Sequence, residues 1–153
     1  EDLLIFEDIE EEITGENIIP HVIEPSFGID RKTYSVLLHS FTETDEKDYF
    51  KFDKSVAPVQ LGIFPLVNKE GPREIAQELT EQLRMAGFTV EYDATGTIGK
   101  RYARADEIGI PLAITVDFDT LEDNQVTVRD RDTEEQERIA ISQLHDYLEK
   151  YYK

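Results

Sequence analysis

The chain has 153 residues, 39% hydrophobic and 33% charged, with 16 Lys plus Arg against 34 Asp plus Glu and neither Cys nor Trp. That length suits one ordinary domain with room for a real core, and the lack of cysteine excludes a disulfide framework, a cysteine-liganded metal site and a thiol nucleophile. A net charge of -18 argues against a general polyanion or membrane-surface binder, because phosphate binding relies on Lys and Arg displacing counterions, so any nucleic-acid contact must be local.

The acidity is spread along the chain: residues 1–55 carry 15 acidic and 5 basic groups, residues 56–153 carry 19 and 11. Such an even excess reads as solubility or adaptation to salt rather than as a binding feature. No run approaches the roughly 20 apolar residues of a membrane helix. The first sixteen residues hold eight acidic and no basic side chains, unlike a signal or transit peptide. A start at Glu1 rather than Met points to a piece of a longer chain.

In chain order, Leu3–Ile13 mixes apolar and acidic residues and predicts a strand or ribbon edge. Ile18–Ile23 is a short apolar run ending at Glu24-Pro25-Ser26, a turn suited to opening a helix. Phe27, Ile29, Tyr34, Leu37, Leu38 and Phe41 form an imperfect helical stripe, predicting a helix to about His39. The polar stretch 42–57 is expected to be a linker. From Pro58 onward strand and helix patterns alternate as in an α/β unit. Strands are predicted at 59–64, 88–92 and 112–118 and helices at 72–86 and 101–108, each helix followed by Gly87 or Gly109. A turn at 121–124 leads into a hairpin strand over 125–129. Thr133 with Gln136 resembles a capping box, so the final helix is expected to start at Asp132 or Thr133, with Ile139, Ile141, Leu144, Tyr147, Leu148 and Tyr151 on its apolar side.

Chemical motifs are few. His21, His39 and His145 share no metal-ligand spacing, and Asp117, Asp119, Glu122 and Asp123 lack the spacing and glycine of a calcium loop, so no metal is expected. Gly96–Lys100 matches neither phosphate-loop pattern. Local positive charge remains: Lys100, Arg101 and Arg104 lie within one and a half helical turns beside a glycine-containing loop. They suit RNA phosphates, or else they pair with Asp106, Glu107, Asp130 and Asp132; spacing leaves both open. Tyr92 and Phe118 are candidates for stacking on unpaired bases.

Ile19-Pro20-His21-Val22-Ile23-Glu24-Pro25-Ser26-Phe27-Gly28-Ile29-Asp30-Arg31 resembles the third signature motif of class II aminoacyl-tRNA synthetases, in the form carried by glycyl-tRNA synthetases of the archaeal and eukaryotic type. Ala57–Leu66, Tyr92-Asp93, Gly96–Tyr102, Asp106–Gly109, Thr115–Thr120 and Thr127–Asp132 resemble the anticodon-binding domain of the same enzymes. Threonyl, prolyl and histidyl relatives share that domain type but fit the motif wording worse.

The resemblance implies an α/β anticodon-binding domain over 58–153, a mixed sheet flanked by three helices. It would be preceded by a strand and helix at the end of a catalytic domain (1–41) and a linker (42–57). It implies a glycine–tRNA ligase whose full-length form activates glycine with ATP and Mg2+ and transfers it to tRNA(Gly), in the cytoplasm, as a homodimer. The present chain would be an inactive monomer that recognises the anticodon. Carried over by position, Arg31 matches the arginine that holds ATP phosphate, and Glu24, Ser26 and Gly28 match positions near the glycine substrate. Asp30 stands where other members carry Gly and takes no role. The implied tRNA contacts are Asp93, Thr97, Lys100, Arg101 and Arg104, with Arg129 and Arg131 expected nearby across the sheet. A non-catalytic accessory or interaction module reusing the same domain is the alternative, against which the intact Glu24, Ser26 and Arg31 argue.

Overall fold

A computed structural model describes Glu10, Gly15 and residues 18–45, 47–67 and 69–153. The strand expected over Leu3–Ile13 lies, Glu10 apart, outside the described residues. The elements run α1 (Ile29–Ser40), β1 (Phe41–Glu43), β2 (Asp48–Phe50), β3 (Leu61–Pro65), α2 (Pro72–Met85), β4 (Val90–Tyr92), α3 (Ile98–Glu107), β5 (Leu112–Val116), α4 (Thr120–Asp123), β6 (Gln125–Asp130), β7 (Gln136–Ala140) and α5 (Ile141–Tyr152).

Five strands form one mixed sheet in the order β4-β3-β5-β6-β7. β4, β3 and β5 are parallel, joined by helical crossovers; β6 and β7 return antiparallel. Strict alternation sorts the two faces. Leu61, Ile63, Leu112, Ile114, Val116, Val126 and Val128 point to one side, where Ala76, Leu79 and Leu83 of α2 and Leu144 and Leu148 of α5 cover them. Phe64 and Ala113 point to the other, under Ala105 of α3 and Ile110. With both faces covered, β3 and β5 are buried along their whole length.

Two expectations change. The final helix begins at Ile141, and residues 136–140 are β7, paired to β6 from Gln125↔Ala140 to Arg129↔Gln136. The Thr133–Gln136 pattern belongs to the hairpin turn: the Asp130 carboxylate accepts the backbone N–H groups of Asp132 and Thr133 and the Thr133 hydroxyl, and Glu134 takes φ 59°. A side chain that caps a helix can equally cap a turn, and only the inward Ile139 on β7 shows which. Most of the hairpin β1–β2, which begins at Phe41, lies in the stretch 42–57, and Phe52 beyond it is buried. Residues 18–28, by contrast, form no ladder with any described strand, and α1 buries only Ser40.

Candidate nucleic-acid interface

The three parallel strands all end at one edge, where Pro65, Tyr92 and Val116 hand over to loops; in open α/β sheets this carboxyl edge is where ligands are received. The loop after β4 is held by its own side chains. Asp93 accepts the Thr95 backbone N–H at 2.7 Å and the Thr95 hydroxyl at 2.6 Å. Arg104 reaches back from α3 to the same carboxylate and to the Thr95 carbonyl. Burial pushes the Asp93 pKa up, but the Thr95 hydroxyl, the Arg104 guanidinium and the Thr95 amide outweigh it and hold the carboxyl at about 2. Gly96 turns the chain at φ 70°, a conformation costly for other residues, and delivers Thr97 to the start of α3.

Arg101 is inside. Its side chain is 2% exposed and donates to the carbonyls of Ala94, Thr95, Gly96 and Pro65, so it ties the β4 loop to the end of β3. A guanidinium with no acceptor capacity of its own is satisfied this way without a carboxylate. Thr97 and Lys100, one turn apart, are exposed, and neither side chain has a hydrogen-bond or ionic partner among the described residues. Asp93, Thr97, Lys100, Arg101 and Arg104 are therefore brought together, two of them facing solvent and three forming the brace beneath.

Arg129 and Arg131 do not join that group. The register Ala113↔Arg129 puts them at the amino ends of the parallel strands, beside the far end of α3. Arg129 pairs with Asp106 at 3.3 Å and Glu134 at 3.2 Å and lies 4.9 Å over the Tyr102 ring. Tyr102 in turn shares a 2.6 Å hydrogen bond with Thr115, and Lys47 of the β1–β2 turn closes the cluster on Asp106 and Glu134, each at 2.8 Å. Arg131 donates to the carbonyls of Phe50, Phe52 and Gly109 and to Asp132. Both arginines thus fix 47–52 to the domain, and the expected adjacency to Lys100 is corrected.

The same edge carries Phe118, the stacking candidate, together with parts that sequence reasoning missed: the Arg138 pairing, Leu66, Leu121 and Arg73. Asp117 accepts the Thr120 backbone N–H and hydroxyl and pairs with Arg138, which also reaches Asp123. Burial raises the Asp117 pKa, and the Thr120 bonds and Arg138 bring it below the ordinary value. Leu66, Phe118 and Leu121 stand exposed beside these loops, and Arg73 opens α2. For Leu66, Phe118 and Leu121 the available signal was position, in the loops that follow β3 and β5. Glu24, Ser26, Gly28 and Arg31 are all exposed, far from this network in contacts.

Residues 60–151 match the family described as the anticodon binding domain. Over 145 residues, 95% of the chain, it is 54% identical to the glycine–tRNA ligase of Methanothermobacter thermautotrophicus, and it is 49% identical over 147 residues to that of Thermococcus gammatolerans. It spans about a quarter of these relatives, 26% of each. Among solved structures, a prolyl-tRNA synthetase from Cryptosporidium parvum superimposes with TM-score 0.63 at 30% identity, over 67% of this chain and 22% of that one. The RNA binding domain of threonyl-tRNA synthetase from the same organism shares the fold, with TM-score 0.60 at 24% identity over 65% of this chain and 25% of that one. With its sheet order, covered faces and organised carboxyl edge accounted for, the chain belongs to the anticodon binding domain family.

Proposed function

We propose that this domain reads the anticodon of tRNA(Gly) as part of a glycine–tRNA ligase. The observation that carries the reading is the 54% identity across nearly the whole chain to a protein of that name, reaching the motif segment as well as the domain. The geometry supports it: an overall acidic molecule offers an organised edge with free Lys100 and Thr97 and exposed Phe118, suited to phosphates and unpaired bases. Asp93, Arg101 and Arg104 act by shaping the loop, and Arg129 and Arg131 by fixing residues 47–52 to the domain.

In the whole enzyme, residues 1–41 would end the catalytic domain and 42–57 connect it to the domain at 58–153. Glu24, Ser26 and Gly28 would face glycine, and Arg31, a permanently charged fork in the first turn of α1, would hold ATP phosphate. A Cβ at Gly28 would meet only the Arg31 side chain, at 3.9 Å, so nothing among the described residues demands glycine there. Among the described residues no three acidic or histidine side chains gather, so no residue of this chain is assigned to Mg2+, which would be carried chiefly by the ATP phosphates. The ATP-driven step would need the remainder of the enzyme, a cytoplasmic homodimer, and this chain alone would be an inactive monomer.

The test is binding of the chain to a tRNA(Gly) anticodon stem-loop and to the same loop with the anticodon cytosines replaced, over a salt series. Tighter binding to the true loop supports the reading; equal or absent binding of both overturns it.

A further inference from the structure

At the carboxyl edge two hydrogen-bond donors have no acceptor. Arg73 Nε and Tyr92 Oη are buried as atoms, and neither has a partner among the described residues. Arg73 is the second residue of α2, which follows β3, and Tyr92 ends β4, the strand paired beside β3. Burial raises the Tyr92 phenol pKa, while the Arg73 and Arg101 guanidiniums are close enough to draw it the other way. Arg101 is wholly engaged by carbonyls, whereas Arg73 forms no ion pair with a described carboxylate, Glu70 and Glu74 beside it included.

Leaving a buried donor unmade costs about 1–3 kcal/mol, so such a pair favours a ligand that supplies acceptors. A guanidinium can only donate, and beside a phenol hydroxyl it suits an anionic group with several acceptor oxygens and no donor. A guanine O6/N7 edge also only accepts, but a phosphate adds the negative charge that a guanidinium without a carboxylate partner lacks. We infer that Arg73 and Tyr92 hold one backbone phosphate of the bound RNA, on the α2 face of the sheet edge, while Lys100 flanks the same edge from the α3 face. This rests on the domain being an RNA reader and adds a site to it: a contact that fixes the strand's position without reading its sequence.

The probe is the tRNA(Gly) anticodon stem-loop, intact, with its anticodon cytosines replaced, and as a set of loops each with one methylphosphonate linkage, which removes a single charge. Arg73→Gln should weaken binding about tenfold on the intact and the cytosine-replaced loops alike, and lower the slope of log K against log salt by about 1. One methylphosphonate should cost the wild-type chain a similar factor and cost Arg73→Gln nothing. Tyr92→Phe, which deletes only the hydroxyl, should lose about threefold at that same linkage. Wild-type affinity in folded Arg73→Gln or in Tyr92→Phe, or methylphosphonate penalties that persist unchanged in Arg73→Gln, would overturn the phosphate site and leave the anticodon reading standing. Failure of the wild-type chain to bind any loop would overturn both.

Discussion

Residues 18–40 and residues 61–148 are both rich in large apolar side chains and use them oppositely. Ile19 and Ile23 are 87% and 95% exposed, and Ile29, Tyr34 and Leu38 of α1 are open as well. Leu61, Ile63, Leu112 and Ile114 are fully buried between α2 and α5. The difference teaches that an apolar pattern stabilises only where an opposite face is present to cover it. The loss of contact with water at about 25 cal/mol per Å2 is realised in the second region and reaches the first only in part, at Val36 and Leu37. What ordering 18–40 does have is local: helical bonds, the Thr33 and Ser35 hydroxyls back-bonding one turn, and Lys32 4.1 Å over the Phe27 ring.

The largest expected effect is in amide exchange. Backbone groups of 112–116 sit between two paired strands and should open only with global unfolding, at a cost of about 5–15 kcal/mol, whereas 18–23 should exchange nearly as free peptide. A difference of roughly a thousandfold or more in protection separates the two, measured by hydrogen–deuterium exchange. Equal protection would break the comparison.

Paired glycine substitutions sharpen it. Gly109 has φ 80°, and a Cβ there would lie 2.3 Å from Phe52 Cδ2 and 2.8 Å from the Phe50 carbonyl oxygen, in the seam where 50–52 docks. Gly109→Ala should cost about 3 kcal/mol from backbone strain and overpacking together. Gly28 has an ordinary φ of -76° and open surroundings, so Gly28→Ala should cost less than about 1 kcal/mol. Denaturant midpoints for both variants test the pair. Arg131→Met should fall between them at about 2–3 kcal/mol, because it strands the Phe50, Phe52 and Gly109 carbonyls without their donor. Arg31→Met, on the exposed segment, should leave the midpoint unchanged.

Smaller still is an acid dependence confined to the folded domain. The Asp93 carboxyl is held at about 2, below the 3.8 of an unconstrained group. Its contribution is fully present above pH 3.8 and is lost as the pH falls toward 2. The stability gap between the wild type and Asp93→Asn should be at most about 2 kcal/mol near neutrality and close near pH 2 in denaturant titrations. A gap independent of pH would mean that the Thr95 and Arg104 bonds do not act on the charge.

How much was legible follows from which forces decided each element. The strands at 61–65 and 112–116 and the helix at 72–85 declared themselves, because burial on both faces and a Pro start with a Gly stop leave strong local patterns. β7 was hidden because Asp130, rather than a helix cap, claims the Thr133 hydroxyl and amide. The β1–β2 hairpin was hidden because its anchors lie far along the chain, in Lys47 on Asp106 and Arg131 on Phe50 and Phe52. At the site, spacing grouped Lys100, Arg101 and Arg104 and the resemblance added Asp93 and Thr97, but neither could distinguish an arginine facing solvent from one facing four carbonyls.

That last distinction sets the smallest effect and decides how the interface should be probed. Arg101→Ala removes the tie among Ala94, Thr95, Gly96 and Pro65, so it should lower stability and weaken RNA binding together, as loss of loop shape would. Lys100→Gln removes an exposed ammonium that touches no described partner, so the thermal midpoint should stay within about 1 °C of wild type, as surface changes away from structural contacts usually do. Its effect should appear only in binding, as a loss of a few-fold with a salt slope smaller by about 1. If Lys100→Gln binds with the wild-type slope while Arg101→Ala loses affinity without losing stability, then the buried guanidinium is the contact and the loop must open to present it.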